Sequence, residues 1–152
     1  MRNGSKKDGL DWMEATGFSI SKDRPGLTAA KHDSIPTDAG KRIYMVKEDL
    51  KDYRGHGVLL YFADWSVWPS GEWFPLFERL QSACKLEGRL IDKPSYFFGA
   101  NEYDDMLNFV MIGVIFLWDL YVMSDDGRVV FYSHDEMRDI GERALDGHAN
   151  VT

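Results

Sequence analysis

The chain has 152 residues, of which 44% are hydrophobic and 28% are charged, and its formal net charge is −7. This length and composition are typical of one globular domain and exclude an intrinsically disordered chain. The single cysteine, Cys84, excludes an internal disulfide framework and any site built from several thiolates, so we expect a cytoplasmic protein.

The N-terminal third has weak structural signals. Residues 1–8 are polar and we predict that they are mobile, with residues 9–152 forming a single globular domain. Residues Leu10–Thr16 indicate a short helix that ends at Gly17, and the prolines and glycine of residues 21–36 predict a loop.

The middle of the chain alternates helices with one strand. From residue 37 the apolar spacing predicts a helix that has Thr37 or Asp38 as its N-cap. The run GVLLYFADW predicts a buried central strand, and the next helix needs Pro75 in its first turn because proline lacks an N–H. A short strand is expected near Arg89–Ile91.

The next helix begins at Asn101, with three acidic residues beside its positive end, and continues through the apolar run Met106–Trp118. This run is too short to span a bilayer, so it indicates a core helix and no membrane association. Cys84 has helical spacing and is expected to be a packing residue.

The C-terminal region contains the clearest signal. Two strand-like runs flank Asp125, Asp126 and Gly127, which predicts a β-hairpin over about residues 118–133. Ser133 followed by Glu136 matches a capping box and predicts a terminal helix. The expected fold is therefore α+β, with a small mixed or antiparallel sheet that includes this hairpin and is covered by helices.

The negative charge is concentrated in the second part of the chain. Residues 1–56 have eleven Lys/Arg and nine Asp/Glu, whereas residues 57–152 have seven and sixteen. Between Pro94 and Glu136 there are eight acidic residues and Arg128 is the only Lys or Arg. An acidic field repels phosphate and attracts basic proteins, so we expect a basic protein partner and no direct nucleic-acid binding. The alternative is that these acids are ordinary solvated surface residues.

No established catalytic motif is present, and we predict no catalytic residue, no metal site and no cofactor. The segment SHDE contains His134, Asp135 and Glu136, but consecutive helical residues point about 100° apart and would not converge on one ion. The capping role of Ser133 and Glu136 explains this segment without a metal.

Three tryptophans lie within nine residues of the segment FADWSVWPSGEW. Trp65 is expected to pack inside, whereas Trp68 and Trp73 bracket a turn too short to bury both. Exposed tryptophans are common anchors of protein interfaces. The alternative is a loop that folds back onto the core through Trp68.

The sequence leaves two hypotheses about function. The first is a non-enzymatic acidic protein-binding domain, which resembles bacterial immunity proteins and antitoxins in its size and acidity and would occlude a basic toxin or nuclease. Its expected partner-binding residues are Trp68, Trp73, Glu102, Tyr103, Asp104, Asp105, Asp125, Asp126 and Asp135. The alternative is a small metal-assisted hydrolase or nucleic-acid-processing enzyme that holds a divalent cation between Asp64 and Asp119.

Overall fold

The structure is a computed structural model that describes residues 1–64, 74–89, 92–116 and 118–144. These residues form an α+β fold with a seven-stranded antiparallel sheet, as expected. The helices are α1 (Lys6–Ala15), α2 (Ala39–Asp49), α3 (Phe74–Ala83) and α4 (Tyr103–Ile115), and the strands are β1 (Arg2–Gly4), β2 (Ile20–Ser21), β3 (Arg24–Pro25), β4 (Leu27–Ser34), β5 (Val58–Asp64), β6 (Ser95–Phe98), β7 (Asp119–Ser124), β8 (Arg128–Tyr132) and β9 (Met137–Arg143). A 3-10 turn covers Lys51–Tyr53.

The large sheet has the strand order β1-β6-β5-β7-β8-β9-β4, and β2 pairs separately with β3. Strand β5 lies inside the sheet, between β6 and β7. Because side chains alternate along a strand, Leu60 and Phe62 face the core under α2, α3 and α4, whereas Leu59 and Tyr61 face the core under α1. The predicted central strand and the predicted hairpin of β7 and β8 are confirmed.

The helix predictions in the middle of the chain are also confirmed. The Asp38 side chain accepts from the N–H of Lys41 at 2.9 Å and caps α2, and Pro75 is the second residue of α3. Helix α4 begins one residue after Glu102, so Asn101 is not its cap. No helix in the described parts of the chain is both long and apolar enough to cross a membrane.

Two N-terminal segments contain more regular structure than the sequence indicated. Within residues 1–8, strand β1 pairs with β6, and a capping box between Ser5 and Asp8 begins α1. Within residues 21–36, the loop prediction was wrong because β4 occupies Leu27–Ser34 and pairs with β9. Seven of the eight residues of β4 are exposed, so the strand has no hydrophobic alternation to reveal it.

The predicted C-terminal helix was wrong, because strand β9 occupies Met137–Arg143. Glu136 has a φ of 62°, and its N–H donates to the carbonyl of Ser133 at 3.1 Å in a turn that joins β8 to β9. The sequence of β9 does not show the apolar pattern of a buried strand, because one of its buried residues is Arg138, which forms an ion pair with Asp49. The predicted strand near Arg89–Ile91 includes residues outside the described parts, and the strand that follows them is β6.

Candidate functional sites at the two ends of the sheet

The register of the sheet separates the predicted functional residues into two groups. Val58 lies opposite both Phe98 and Ser124, so the start of β5 and the ends of β6 and β7 meet at one end, which we call the hairpin end (residues 52–57, 98–105 and 124–128). Asp64 lies opposite Asp119 at what we call the Asp119 end (residues 64, 119 and 133–135, with Arg24). The six residues of β7 separate the two ends by about 17 Å.

The hairpin end brings together acidic residues from two distant segments. Asp104 and Asp105 lie in the first turn of α4, and Asp125 and Asp126 form the turn between β7 and β8. Carboxylates in the first turn are favourable because the N-terminus of a helix is partly positive. All four of these residues are exposed.

The two turn carboxylates already have protein partners. Asp125 accepts from the N–H of Gly57 at 3.0 Å, and its other oxygen lies 3.0 Å from Nδ1 of His56. Arg128 donates to Asp126 at 2.7 Å, and the hydroxyl of Ser124 also contacts Asp126. Partial burial raises the pKa of Asp126, but the bonds from Ser124 and Arg128 outweigh it, so the pKa lies below its usual range.

Glu102 also has internal partners. Its carboxylate lies 2.5 Å from the amino nitrogen of Met1 and accepts from the N–H of Gly99 at 2.9 Å. These contacts, the amino group first, hold the pKa of Glu102 below its usual value. Its neighbour Tyr103 is half-buried, with the guanidinium of Arg54 4.2 Å from its ring centroid.

Asp104 and Asp105 differ from these residues, because neither makes an ion pair or a side-chain hydrogen bond within the described parts of the chain. Their charges therefore face water without a compensating partner there. Of the acids predicted for partner binding, these two contribute most directly to the electrostatic field outside the hairpin end.

At the Asp119 end a carboxylate is buried instead. Asp119 is 5% exposed, and its Oδ1 accepts from the backbone N–H of His134 and lies within hydrogen-bond distance of the ring Nδ1, both at 2.7 Å. Its Oδ2 accepts from Arg24 at 3.4 Å. The hydrogen bond with Asp119 is the main reason why the pKa of His134 lies above the usual 6.5.

Asp135 lies at this same end. Its carboxylate is 3.3 Å from Nε2 of His134, and the residue is exposed. Asp135 was predicted to share a surface with Asp125 and Asp126, but the sheet separates it from them. Trp68 and Trp73 lie outside the described residues, so their predicted role as anchors stays a prediction.

The two carboxylates of the alternative hypothesis are brought together. Asp64 and Asp119 are directly opposite each other across β5 and β7, after a register shift at Phe62. Sequence reasoning missed the contact of Asp119 with His134, because the two residues are separated by fifteen positions and no motif links them. Only the hairpin register revealed it.

One group of side chains at the hairpin end has the geometry of a metal site. Within the described residues, the only group of three side chains with ligand atoms close enough to hold one ion is His56, Asp125 and Asp126. The carboxylate oxygens of Asp125 and Asp126 already accept hydrogen bonds from Gly57, Ser124 and Arg128. The closeness of the three side chains is therefore explained by the structure of the turn. Cys84 packs against the core beside α4, and burial raises the pKa of its thiol, in agreement with a packing role.

No protein-family model, curated protein or solved structure matches this chain.

Proposed function

We propose that this chain is a non-enzymatic, acidic protein-binding domain of the immunity or antitoxin type, which occludes a basic protein such as a toxin or nuclease. One observation supports this most directly: Asp104 and Asp105 lie at the same end of the sheet as Asp125 and Asp126, although about twenty residues separate the two pairs in sequence. The fold concentrates these carboxylates where a partner can approach them.

The physical basis is electrostatic steering. A cluster of like charges raises the rate at which an oppositely charged protein meets the surface, and this effect weakens as salt screens it. The same field repels phosphate backbones, which favours a protein partner over nucleic acid. Tyr103, half-buried beside Arg54, supplies an aromatic surface at the same end.

The structure identifies which acidic residues are suitable for a charge-reversal test of this proposal. Asp125, Asp126 and Glu102 make internal hydrogen bonds, so reversing their charges would disturb the local structure as well as the field. Asp104 and Asp105 are better positions, since their exposed side chains have no such partner in the described residues.

The experiment compares the Asp104→Lys, Asp105→Lys double variant with a matched control, Glu14→Lys with Glu78→Lys, whose exposed acids lie on α1 and α3. Both variants change the net charge equally. The probe is a small basic nuclease immobilised on a sensor surface, with an acidic protein of similar size as reference. Association rates are measured at two salt concentrations, and circular dichroism confirms folding.

We expect slower association and a weaker salt dependence in the hairpin-end variant, while the control retains most of the wild-type rate. Equal effects in the two variants would mean that only the net charge matters. Unchanged association in both would remove the electrostatic argument for a basic partner.

Replacing the tryptophans is expected to change the dissociation rate of the complex, whereas charge reversal is expected to change its association rate. If Trp68 or Trp73 is a buried anchor of the complex, its replacement by alanine should accelerate dissociation, with a loss of about 2 kcal/mol or more of binding free energy. An unchanged dissociation rate would show that the anchor lies elsewhere.

A second candidate, the metal-assisted enzyme, is favoured by the register that places Asp64 opposite Asp119. Against it, both oxygens of Asp119 are engaged by His134 and Arg24. Elemental analysis of protein purified without chelators separates the candidates. The binding-domain proposal expects no stoichiometric metal, whereas one metal ion per chain that is lost in Asp64→Asn would favour the enzyme.

A further inference from the structure

Strand β4 is the last strand of the large sheet and has a free outer edge. Within residues 1–64, 74–89, 92–116 and 118–144, β9 is the only strand that pairs with it. The edge spans the eight residues of β4, all exposed except Leu27, and a register shift between Ala29 and Lys31 leaves residues 31–34 as its regular part beyond the shift. An edge of this length presents a row of backbone donors and acceptors that another strand can pair with.

The register with β9 shows which backbone groups point outward. The N–H of Ile35 donates to the carbonyl of Glu136, and the N–H of Ser133 donates to the carbonyl of Met137. In an antiparallel ladder the direction of these groups alternates, so Lys31 and Asp33 bond inward to β9, whereas His32 and Ser34 point to the free edge. The N–H of Ser34 already donates to the Asp33 carboxylate at 2.9 Å, so an added strand must bond chiefly to the backbone of His32.

A second copy of β4 has the charge pattern to do this. If two copies pair antiparallel about a two-fold axis at His32, Lys31 of each copy lies opposite Asp33 of the other, which gives two opposite-charge pairs. Shifting the axis to Asp33 would place Asp33 opposite itself, and shifting it to Lys31 would place two lysines opposite each other. The charges thus favour one register, and it is the register in which the outward-pointing His32 residues bond to each other.

We propose that the chain forms a symmetric homodimer in which β4 strands of two copies pair antiparallel about His32 and extend the sheet across the interface. In this register Lys31 and Asp33 occupy the pairs whose backbones do not bond across the interface, where facing side chains come closest. Within one chain Asp33 lies 3.7 Å from Lys31 and 3.6 Å from Arg138, so Lys31 and Asp33 are on the same face of the edge strand. The site is distinct from the hairpin-end surface proposed above.

A lysine on an edge strand often prevents pairing with other strands. Here that protection operates against strands with a basic residue opposite Lys31, because the two like charges repel each other. A second copy is the exception, since it supplies Asp33 at that position. The edge charges therefore restrict the choice of partner and do not abolish pairing.

Sedimentation velocity over a wide range of micromolar concentrations tests the proposal. We expect wild-type protein to shift with concentration toward a species of twice the 17.5 kDa chain mass. Lys31→Glu creates two like-charge pairs across the interface and should weaken the dimer about tenfold. Lys47→Glu is the matched control, because Lys47 is exposed on α2 and carries the same charge change away from the edge.

A backbone variant tests the register. His32→Pro removes an N–H that points outward, so the bonds between β4 and β9 remain while the central bonds of the dimer are lost. His32→Ala keeps that N–H and should dimerise like the wild type. Should His32→Pro fail to fold by circular dichroism, Lys31→Glu and its control decide the question.

Wild-type protein that stays monomeric at every concentration would overturn the proposal. A dimer that is unaffected by Lys31→Glu, or weakened equally by Lys47→Glu, would overturn it too, because the interface would then lie elsewhere. Loss of dimer in Lys31→Glu with the control unchanged supports pairing through β4.

Discussion

Aspartate side chains have opposite environments at the two ends of the sheet. At the hairpin end, Asp104 and Asp105 point into water, whereas at the Asp119 end the carboxylate of Asp119 is 5% exposed and is bonded to His134 and Arg24. An acidic residue adds to the surface field only where the fold leaves it in water without a partner. The count of eight acidic residues between residues 94 and 136 is therefore larger than the number that contribute unpaired negative charge at the surface.

The largest expected effect comes from removing the buried carboxylate. Asp119→Ala removes the carboxylate partner of Arg24 and the acceptor for the N–H and ring of His134, so we expect a loss of about 3 kcal/mol in the free energy of unfolding. Urea unfolding measures it. A loss below about 1 kcal/mol would mean that solvent replaces these contacts, and the contrast between the two ends would be smaller than the burial indicates.

An intermediate effect is expected at the hairpin turn. Asp125→Ala removes the acceptor for the N–H of Gly57 and the contact with Nδ1 of His56, both at the surface, so we expect a loss of about 1 kcal/mol. Asp125→Asn keeps an acceptor oxygen and should recover most of it. If the two variants are equally unstable, the charge and not the hydrogen bond stabilises the turn.

A smaller effect depends on pH. The folded-state pKa of His134 is raised by Asp119, so this pair contributes stability that is fully present below the unfolded pKa of 6.5 and is lost as the pH rises through the raised folded value. The difference in unfolding free energy between the wild type and His134→Gln should therefore shrink as the pH rises from about 6 to about 8. A difference that grows over this range would contradict the assigned partner.

The smallest effect is expected where the carboxylates face water. Asp104→Ala and Asp105→Ala each lose only a favourable interaction with the N-terminus of α4, so the free energy of unfolding should fall by about 0.5 kcal/mol or less. The same denaturation measurements test this. A loss that approaches that of Asp119→Ala would show that these residues have structural contacts and would remove the basis for placing the binding surface there.

The elements that the sequence predicted are those whose signal is local. Strand β5 is a continuous apolar run, α2 has an aspartate at its N-cap, and the β7–β8 hairpin has Asp125–Gly127 at its turn. Each signal comes from hydrophobic periodicity or from turn chemistry within a few residues, so no distant contact was needed to recognise it.

Strands β4 and β9 were missed because their stability comes from each other. Neither has a regular apolar alternation, and the buried Arg138 of β9 is paired with Asp49, eighty-nine residues away. Gly141 shows the same dependence: an added Cβ there would lie 1.9 Å from the carbonyl oxygen of Thr28, so the close pairing of β4 with β9 requires glycine at that position. In the sequence, the match of Ser133 and Glu136 to a capping box predicted a helix here instead.

The fold class, the central strand, the core helix and the hairpin could be predicted from the sequence, because each of these depends on short-range patterns of apolar and turn residues. Which charges are buried and which face water became clear only from the folded structure. This difference depends on pairings between residues far apart in the chain, such as Asp119 with Arg24 and Asp49 with Arg138. A carboxylate has the same identity in the sequence whether it binds a buried guanidinium or water, and its role follows from which of these the fold places beside it.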